Sequence, residues 1–233
     1  MKNVVLASTS TLYGEKYLQY LLPVMKELFA GIDEIVFIPY ARPGGISHDE
    51  YTARAGAGLA TIGINVRGLH TFADPAQAIR EAKGFFTGGG NTFVLVKQLH
   101  ELNLMDQLSE VVSKGTPYIG ASAGSNIGGV NMQTTNDMPI VYPPSFQTMG
   151  LMPYNLNPHY QEPIPGVPHM GETRETRILE FHTQQSIPVI GLREGSWIRI
   201  KGNEIRLEGT MPAKIFEQNK VPYELPAGSD IKI

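Results

Sequence analysis

The chain has 233 residues, 18% of them charged, and a formal net charge of -3. No basic run occurs along it, which argues against a polyanion-binding face and against nucleic acid as a partner. Cysteine is absent, which removes a thiol nucleophile, disulfides and thiolate zinc sites together.

Hydrophobic residues make up 42% of the sequence, enough for one sizeable α/β domain spanning residues 1–233. The N-terminus, residues 1–7, is too short in its apolar part for a signal peptide. No stretch of about 18 apolar residues is present to span a membrane. A cytoplasmic protein that does not engage membranes is the expectation.

In chain order, β-rich apolar runs at residues 4–7, 34–39, 65–69, 84–87 and 117–120 alternate with helical patterns. Helices are predicted over 16–29, from the capping box of Ser47 and Glu50 to residue 60, from the Asp74-Pro75 cap onward, and over 92–102, 105–114 and 173–181. Near-continuous apolar strands between helices predict a mostly parallel sheet covered on both faces, with right-handed crossovers. Residues 139–168 are Pro-rich and without periodicity, and read as a functional loop. After a strand at 189–192, residues 196–201 and 204–208 alternate around Gly202-Asn203, predicting a hairpin and a C-terminal antiparallel extension.

The strand at 117–120 feeds into Gly120-Ala121-Ser122-Ala123-Gly124, the G-x-S-x-G pattern of a nucleophile elbow. Small residues there let two backbone segments cross closely and expose the serine at the sheet's edge. Ser122 is therefore the candidate nucleophile, although a small-residue turn can also serve packing alone.

A serine needs a base and an oriented acid. His48, His70, His100 and His182 fall near helix or strand ends, whereas His159 lies in the long loop after the elbow, with Pro158 restricting the backbone just before it. His159 is the candidate base, although a loop histidine can equally be a surface residue. Two carboxylates are candidates for the acid: Asp137, in a polar loop after the elbow, and Glu194, just beyond the strand at 189–192. Glu194 is preferred on placement, because active-site groups gather at the carboxyl ends of strands in open parallel sheets.

Oxyanion stabilisation requires preorganised N–H donors. Gly88-Gly89-Gly90, between a strand and a helix, supplies them through Gly89 and Gly90, together with the amide of Ala123. The loop lacks the Lys-Ser/Thr end of a phosphate loop and the spacing of a dinucleotide fold. No cofactor is expected. No H-E-x-x-H-type spacing indicates a metal, so activity is expected to survive chelation.

Several segments taken together resemble the peptidase E family, the α-aspartyl dipeptidases. They are Phe37-Ile38-Pro39-Tyr40, Asp49-Glu50-Tyr51-Thr52, Gly88 to Phe93, Tyr118-Ile119-Gly120 with Ser122-Ala123-Gly124, Thr134 to Ile140, Asn157-Pro158-His159, Gly171 to Glu175 and Glu194-Gly195-Ser196-Trp197. The resemblance covers nearly the whole chain. It implies a three-layer fold of the class I glutamine-amidotransferase-like type. It also implies cleavage of Asp-X dipeptides through an acyl-enzyme on Ser122, with His159 as base. Both Asp137 and Glu194 have been proposed as the acid in that family. The resemblance names Arg174 for the aspartyl carboxylate; Asn91, in the glycine-rich segment, is a further candidate substrate contact. Ala121 departs from the aromatic residue of some bacterial members.

A generic serine esterase, a related peptidase acting on aspartyl-rich polymers and a non-catalytic binding protein are the alternatives. The expected partner is a small peptide, and the expected assembly a monomer or homodimer.

Overall fold

The computed structural model describes residues 1–163, 166 and 170–232. In chain order its strands are β1 (Asn3–Ala7), β2 (Glu34–Ile38), β3 (Asn65–Gly68), β4 (Phe85–Thr87), β5 (Tyr118–Ala121), β6 (Asn155–Pro158), β7 (Val189–Leu192), β8 (Ser196–Lys201), β9 (Glu204–Gly209), β10 (Ala213–Phe216) and β11 (Tyr223–Leu225). Its helices are α1 (Leu22–Leu28), α2 (His48–Ala60), α3 (Pro75–Glu81), α4 (Thr92–Glu101), α5 (Met105–Lys114), α6 (Ala123–Asn126) and α7 (Arg174–Phe181). None of the described helices is long and apolar enough to cross a membrane.

The central sheet has seven strands in the order β3-β2-β4-β5-β1-β8-β9. The first five are mutually parallel, and the β8–β9 hairpin adds the antiparallel edge. Successive residues of a strand face opposite sides, and the buried side chains divide accordingly. Val4, Leu6, Val36, Ile38 and Phe85 join one core with Ile79, Leu95 and Leu108 of α3, α4 and α5. Val5, Ala7, Ile35, Phe37 and Phe86 join the other with Met25 of α1 and with Tyr51 and Leu59 of α2. This makes the three-layer arrangement that the strand–helix alternation predicts. Truncating a fully buried side chain such as Phe37 to alanine costs roughly 3–5 kcal/mol.

The predicted helix starts are made by side chains. Ser47 Oγ accepts the Glu50 amide at 3.1 Å while Glu50 Oε2 accepts the Ser47 amide at 2.8 Å, satisfying two amides that have no intrahelical acceptor. Asp74 Oδ1 does the same for Gln77 N at 2.9 Å.

Besides shifts of one residue at several element ends, three features differ from the sequence reading. The helix expected over 16–29 is α-helical only from Leu22, after a 3₁₀ turn at Gln19–Leu21 and a left-handed Leu18 with φ 64°. Pro23 is the cause: it lacks an N–H and clashes with a preceding helical turn, so it opens a helix and does not sit inside one. The strand expected through residue 69 stops at Gly68, where Leu69 enters a 3₁₀ turn. The long loop expected over 139–168 contains β6, and the end of that loop lies outside the described residues.

β6 belongs to a second sheet of four strands, ordered β11-β10-β7-β6. It runs parallel to β7 with Pro158 opposite Leu192, while β10 is antiparallel to β7 and β11 to β10. Because β6 and β7 end level with one another, the residues after them, His159 and Glu194, emerge side by side.

Candidate active site

Ser122 follows β5 with φ 55° and ψ -111°, a backbone conformation that costs a non-glycine residue about 1–3 kcal/mol. Close packing around it holds it there. A Cβ on Gly120 would lie 2.2 Å from Gly124 O, and one on Gly124 would lie 2.2 Å from Thr87 O, so only glycine lets β5, α6 and the end of β4 approach this closely. The Ser122 amide donates to Ala7 O at 3.1 Å, and Tyr118 Oη donates to Gly124 O at 2.7 Å. The glycines of the motif are thus explained by the crossing itself.

His159, like Ser122, has a positive φ, 54°. Its Nε2 lies 2.9 Å from Ser122 Oγ and its Nδ1 lies 2.6 Å from Glu194 Oε1. An ionised carboxylate only accepts, so Nδ1 carries the proton, and Nε2 is left to accept from the serine hydroxyl. Serine, histidine and glutamate form one hydrogen-bonded series, from residues 37 and 35 positions apart.

Asp137, the other carboxylate weighed from the sequence, is engaged elsewhere. Its Oδ2 accepts from Thr92 N at 2.7 Å, Thr92 Oγ1 at 2.6 Å and Thr135 Oγ1 at 3.0 Å, over the first turn of α4. Asn91, expected to contact substrate, is the N-cap of the same helix. Its Oδ1 accepts from Val94 N at 3.1 Å and its Nδ2 donates to Met138 O at 2.9 Å. Both polar atoms of its side chain are thus hydrogen-bonded within the fold.

The glycine loop runs against the elbow. A Cβ on Gly89 would fall 3.1 Å from Ser122 Cβ and 3.6 Å from its Oγ. The amides of Gly89, Gly90 and Ala123 donate to no acceptor among the described residues. Each belongs to the loop or the elbow next to the serine hydroxyl.

Arg174, the first residue of α7, lines a cleft of about 510 Å³ together with His159, Tyr160, Glu162, Arg193 and Glu194. Its Nη1 is buried and unpartnered among the described residues. Burial holds its guanidinium below the ordinary arginine value, against the attraction of Glu194. Arg193 is the opposite case: it donates to Glu224 and Pro212 O at 2.8 Å and pairs with Glu162, and these carboxylates raise its pKa. Of the two arginines on this cleft, Arg174 has the unsatisfied donor.

The other histidines read as unpromising lie apart from this series. His70 Nε2 is 2.7 Å from Asp49 and His100 Nε2 is 2.9 Å from Gln147 O, while His48 packs against Tyr40 and His182 is buried at the end of α7. No group of His, Asp and Glu among the described residues is placed to hold a metal ion. Two polar side chains beside the elbow were not singled out from the sequence. Tyr51 Oη donates to Gly89 O at 3.0 Å, and the hydroxyl of Ser8 sits at the carboxyl end of β1. The position of Ser8 just past a parallel strand is the signal that could have found it.

A serine, a histidine and a carboxylate in series at the carboxyl ends of α/β strands, beside unsatisfied amides, are the parts that acyl-transfer hydrolases use. Residues 4–208 match the model of peptidase family S51, and the chain belongs to that family and is a peptidase. It is 45% identical over 229 residues to a peptidase E of Streptomyces coelicolor, covering 98% of this chain and 93% of that one. It is 44% identical over 233 residues to a probable alpha-aspartyl dipeptidase of Drosophila melanogaster, covering 99% and 96%. Among solved structures, a peptidase from an acI-B1 actinobacterium superposes with a TM-score of 0.75 at 17% identity, covering 100% of this chain and 97% of that one. A putative peptidase E from Listeria monocytogenes gives 0.67 at 21%, covering 91% and 100%. These two likenesses support the fold.

Proposed function

We propose that this peptidase is a serine dipeptidase that hydrolyses Asp-X through an acyl-enzyme on Ser122. The observation that carries the reading is the placement of His159 Nε2 at 2.9 Å from Ser122 Oγ with Nδ1 held at 2.6 Å by Glu194. Ser122 Oγ attacks the scissile carbonyl carbon and its proton passes to His159 Nε2. Glu194 holds the imidazole in the required tautomer and stabilises the imidazolium that forms. The oxyanion is received by the amides of Gly89, Gly90 and Ala123. Collapse of the tetrahedral intermediate breaks the C–N bond, and Nε2 returns the proton to the leaving amine. Water, deprotonated by the same nitrogen, then attacks the ester and releases aspartate and Ser122.

Aspartyl selectivity rests on Arg174. A buried guanidinium nitrogen without an acceptor among the described residues, in the cleft shared with His159, favours a carboxylate ligand, and the planar fork of arginine can hold one bidentately. The relatives named as peptidase E and alpha-aspartyl dipeptidase support the same substrate class.

The test is hydrolysis of Asp-Leu by purified protein, beside Ala-Leu, N-acetyl-Asp-Leu and the Ser122→Ala variant. Cleavage of Asp-Leu alone, abolished in the variant, is expected. Equal cleavage of Ala-Leu would reject the aspartyl pocket, and an active Ser122→Ala variant would reject the nucleophile.

A further inference from the structure

We infer that Ser8 is a positioning residue that sets His159 and Glu194 in register with Ser122; this rests on the roles proposed above for those three. Ser8 is fully buried and directly follows β1 in the central sheet. His159 and Glu194 come from the other sheet, at the ends of β6 and β7. The proposed nucleophile and its base are therefore carried by different sheets, and hydrogen bonding across the junction has to hold their separation to a few tenths of an ångström.

Ser8 spans that junction with a single hydroxyl. Its Oγ accepts the His159 amide at 2.8 Å and donates to Leu192 O at 2.8 Å. The accepting bond fixes the backbone of His159 in its positive-φ conformation, which aims the imidazole at the elbow. The donating bond fixes the end of β7 two residues before Glu194. Leu192 O also accepts from Tyr160 N at 3.1 Å, so the successive amides of His159 and Tyr160 are held by these two linked oxygens. The preceding residue of β1, Ala7, accepts the Ser122 amide. Two consecutive residues at the end of β1 thus hold the nucleophile's backbone and the base's backbone.

Serine suits this role because its hydroxyl donates and accepts at once. Alanine would leave the His159 amide without its acceptor and remove one of the two donors to Leu192 O, freeing the imidazole to shift relative to both neighbours. Misplacement of a catalytic group by about 1 Å can cost roughly 10²-fold in rate.

The experiment compares Ser8→Ala and Ser8→Cys with wild type, with Ser122→Ala, His159→Ala and Glu194→Gln as references. The readouts are kcat and KM on Asp-Leu, the melting temperature, and the downfield proton resonance of the His159 Nδ1–H, which needs no substrate. Ser8→Ala is expected to lower kcat about 10²-fold with KM changed less than about twofold, and to broaden or abolish the resonance, the result also expected of Glu194→Gln. Ser8→Cys keeps the shape of the side chain with a slightly larger, poorly hydrogen-bonding group, and is expected to stay folded while losing kcat in the same way. It carries the test if Ser8→Ala does not fold. Unchanged kcat and resonance in a folded Ser8 variant, with the Ser122 and His159 variants inactive, would overturn the role of Ser8 alone. Full activity in Ser122→Ala or His159→Ala would overturn the underlying reading and this inference with it.

Discussion

Asp137 and Thr92 are joined by two hydrogen bonds, one from the Thr92 amide at 2.7 Å and one from its hydroxyl at 2.6 Å. They place a carboxylate over the first turn of α4, where amides lack intrahelical acceptors and the helix end carries partial positive charge. Asp137 therefore steadies the helix that leaves the glycine loop, while Glu194 meets His159. Glu194→Gln is expected to lower kcat by up to about 10⁴, the scale for losing a triad carboxylate. Asp137→Asn is expected to cost about 0.5–2 kcal/mol of stability, the range for losing a capping group, with a smaller loss of kcat. Melting temperatures and kcat for the two variants check this, and the reverse order of kcat losses would exchange their roles.

Arg174 and Arg193 line one cleft but differ in what they already bond. Arg174→Ala is expected to weaken transition-state binding of Asp-Leu by roughly 2–5 kcal/mol in kcat/KM while leaving residual cleavage of Ala-Leu unchanged. Arg174→Lys should fall between, because a lysine ammonium does not reproduce the bidentate fork. Arg193→Ala should instead lower the melting temperature and keep the aspartyl preference, since it breaks the link between Glu162, Glu224 and Pro212. A uniform loss over both dipeptides in Arg174→Ala would count against the carboxylate pocket.

Gly89→Ala places a methyl group 3.1 Å from Ser122 Cβ, so Ser122, the proposed nucleophile, must give way by a few tenths of an ångström. With roughly 10² in rate at stake per ångström, kcat is expected to fall about tenfold, with the fold retained by circular dichroism. An unchanged kcat would show that the elbow relaxes without consequence.

His182 is buried, and burial lowers its pKa below the ordinary 6.5. The unfolded chain then takes up a proton that the native state resists, so the stability tied to the neutral imidazole is present above about pH 6.5 and is lost as pH falls toward the folded value. Partly buried His48, whose pKa is also lowered by burial, adds a term of the same sign. Between pH 7.5 and 5.5 the wild type should therefore lose more melting temperature than His182→Leu. Equal losses would remove His182 from the acid response.

Much of the fold was legible because the signals are local. The Ser47 and Asp74 caps, the Gly202-Asn203 hairpin and the G-x-S-x-G elbow each express a rule acting over a few residues, and the structure has them where the rules put them. β6 was not legible: its Asn-Leu-Asn-Pro sequence is polar at alternate positions and lies in a Pro-rich stretch. Its asparagines are buried because they find partners, Asn155 with Asn131 and Asn157 with Asn136 and Thr134 O.

By itself the sequence determined the α/β layering, the elbow that presents Ser122 and the candidacy of His159, because periodicity, capping and close crossing depend on neighbours along the chain. Only the tertiary structure decided which carboxylate meets the imidazole, which arginine keeps a free donor and that Asn91 caps a helix. Those outcomes depend on which groups from distant segments the fold brings within hydrogen-bonding distance. One-dimensional order cannot encode that competition, since Asp137 lies closer to His159 along the chain than Glu194 does, yet its carboxylate is held by Thr92.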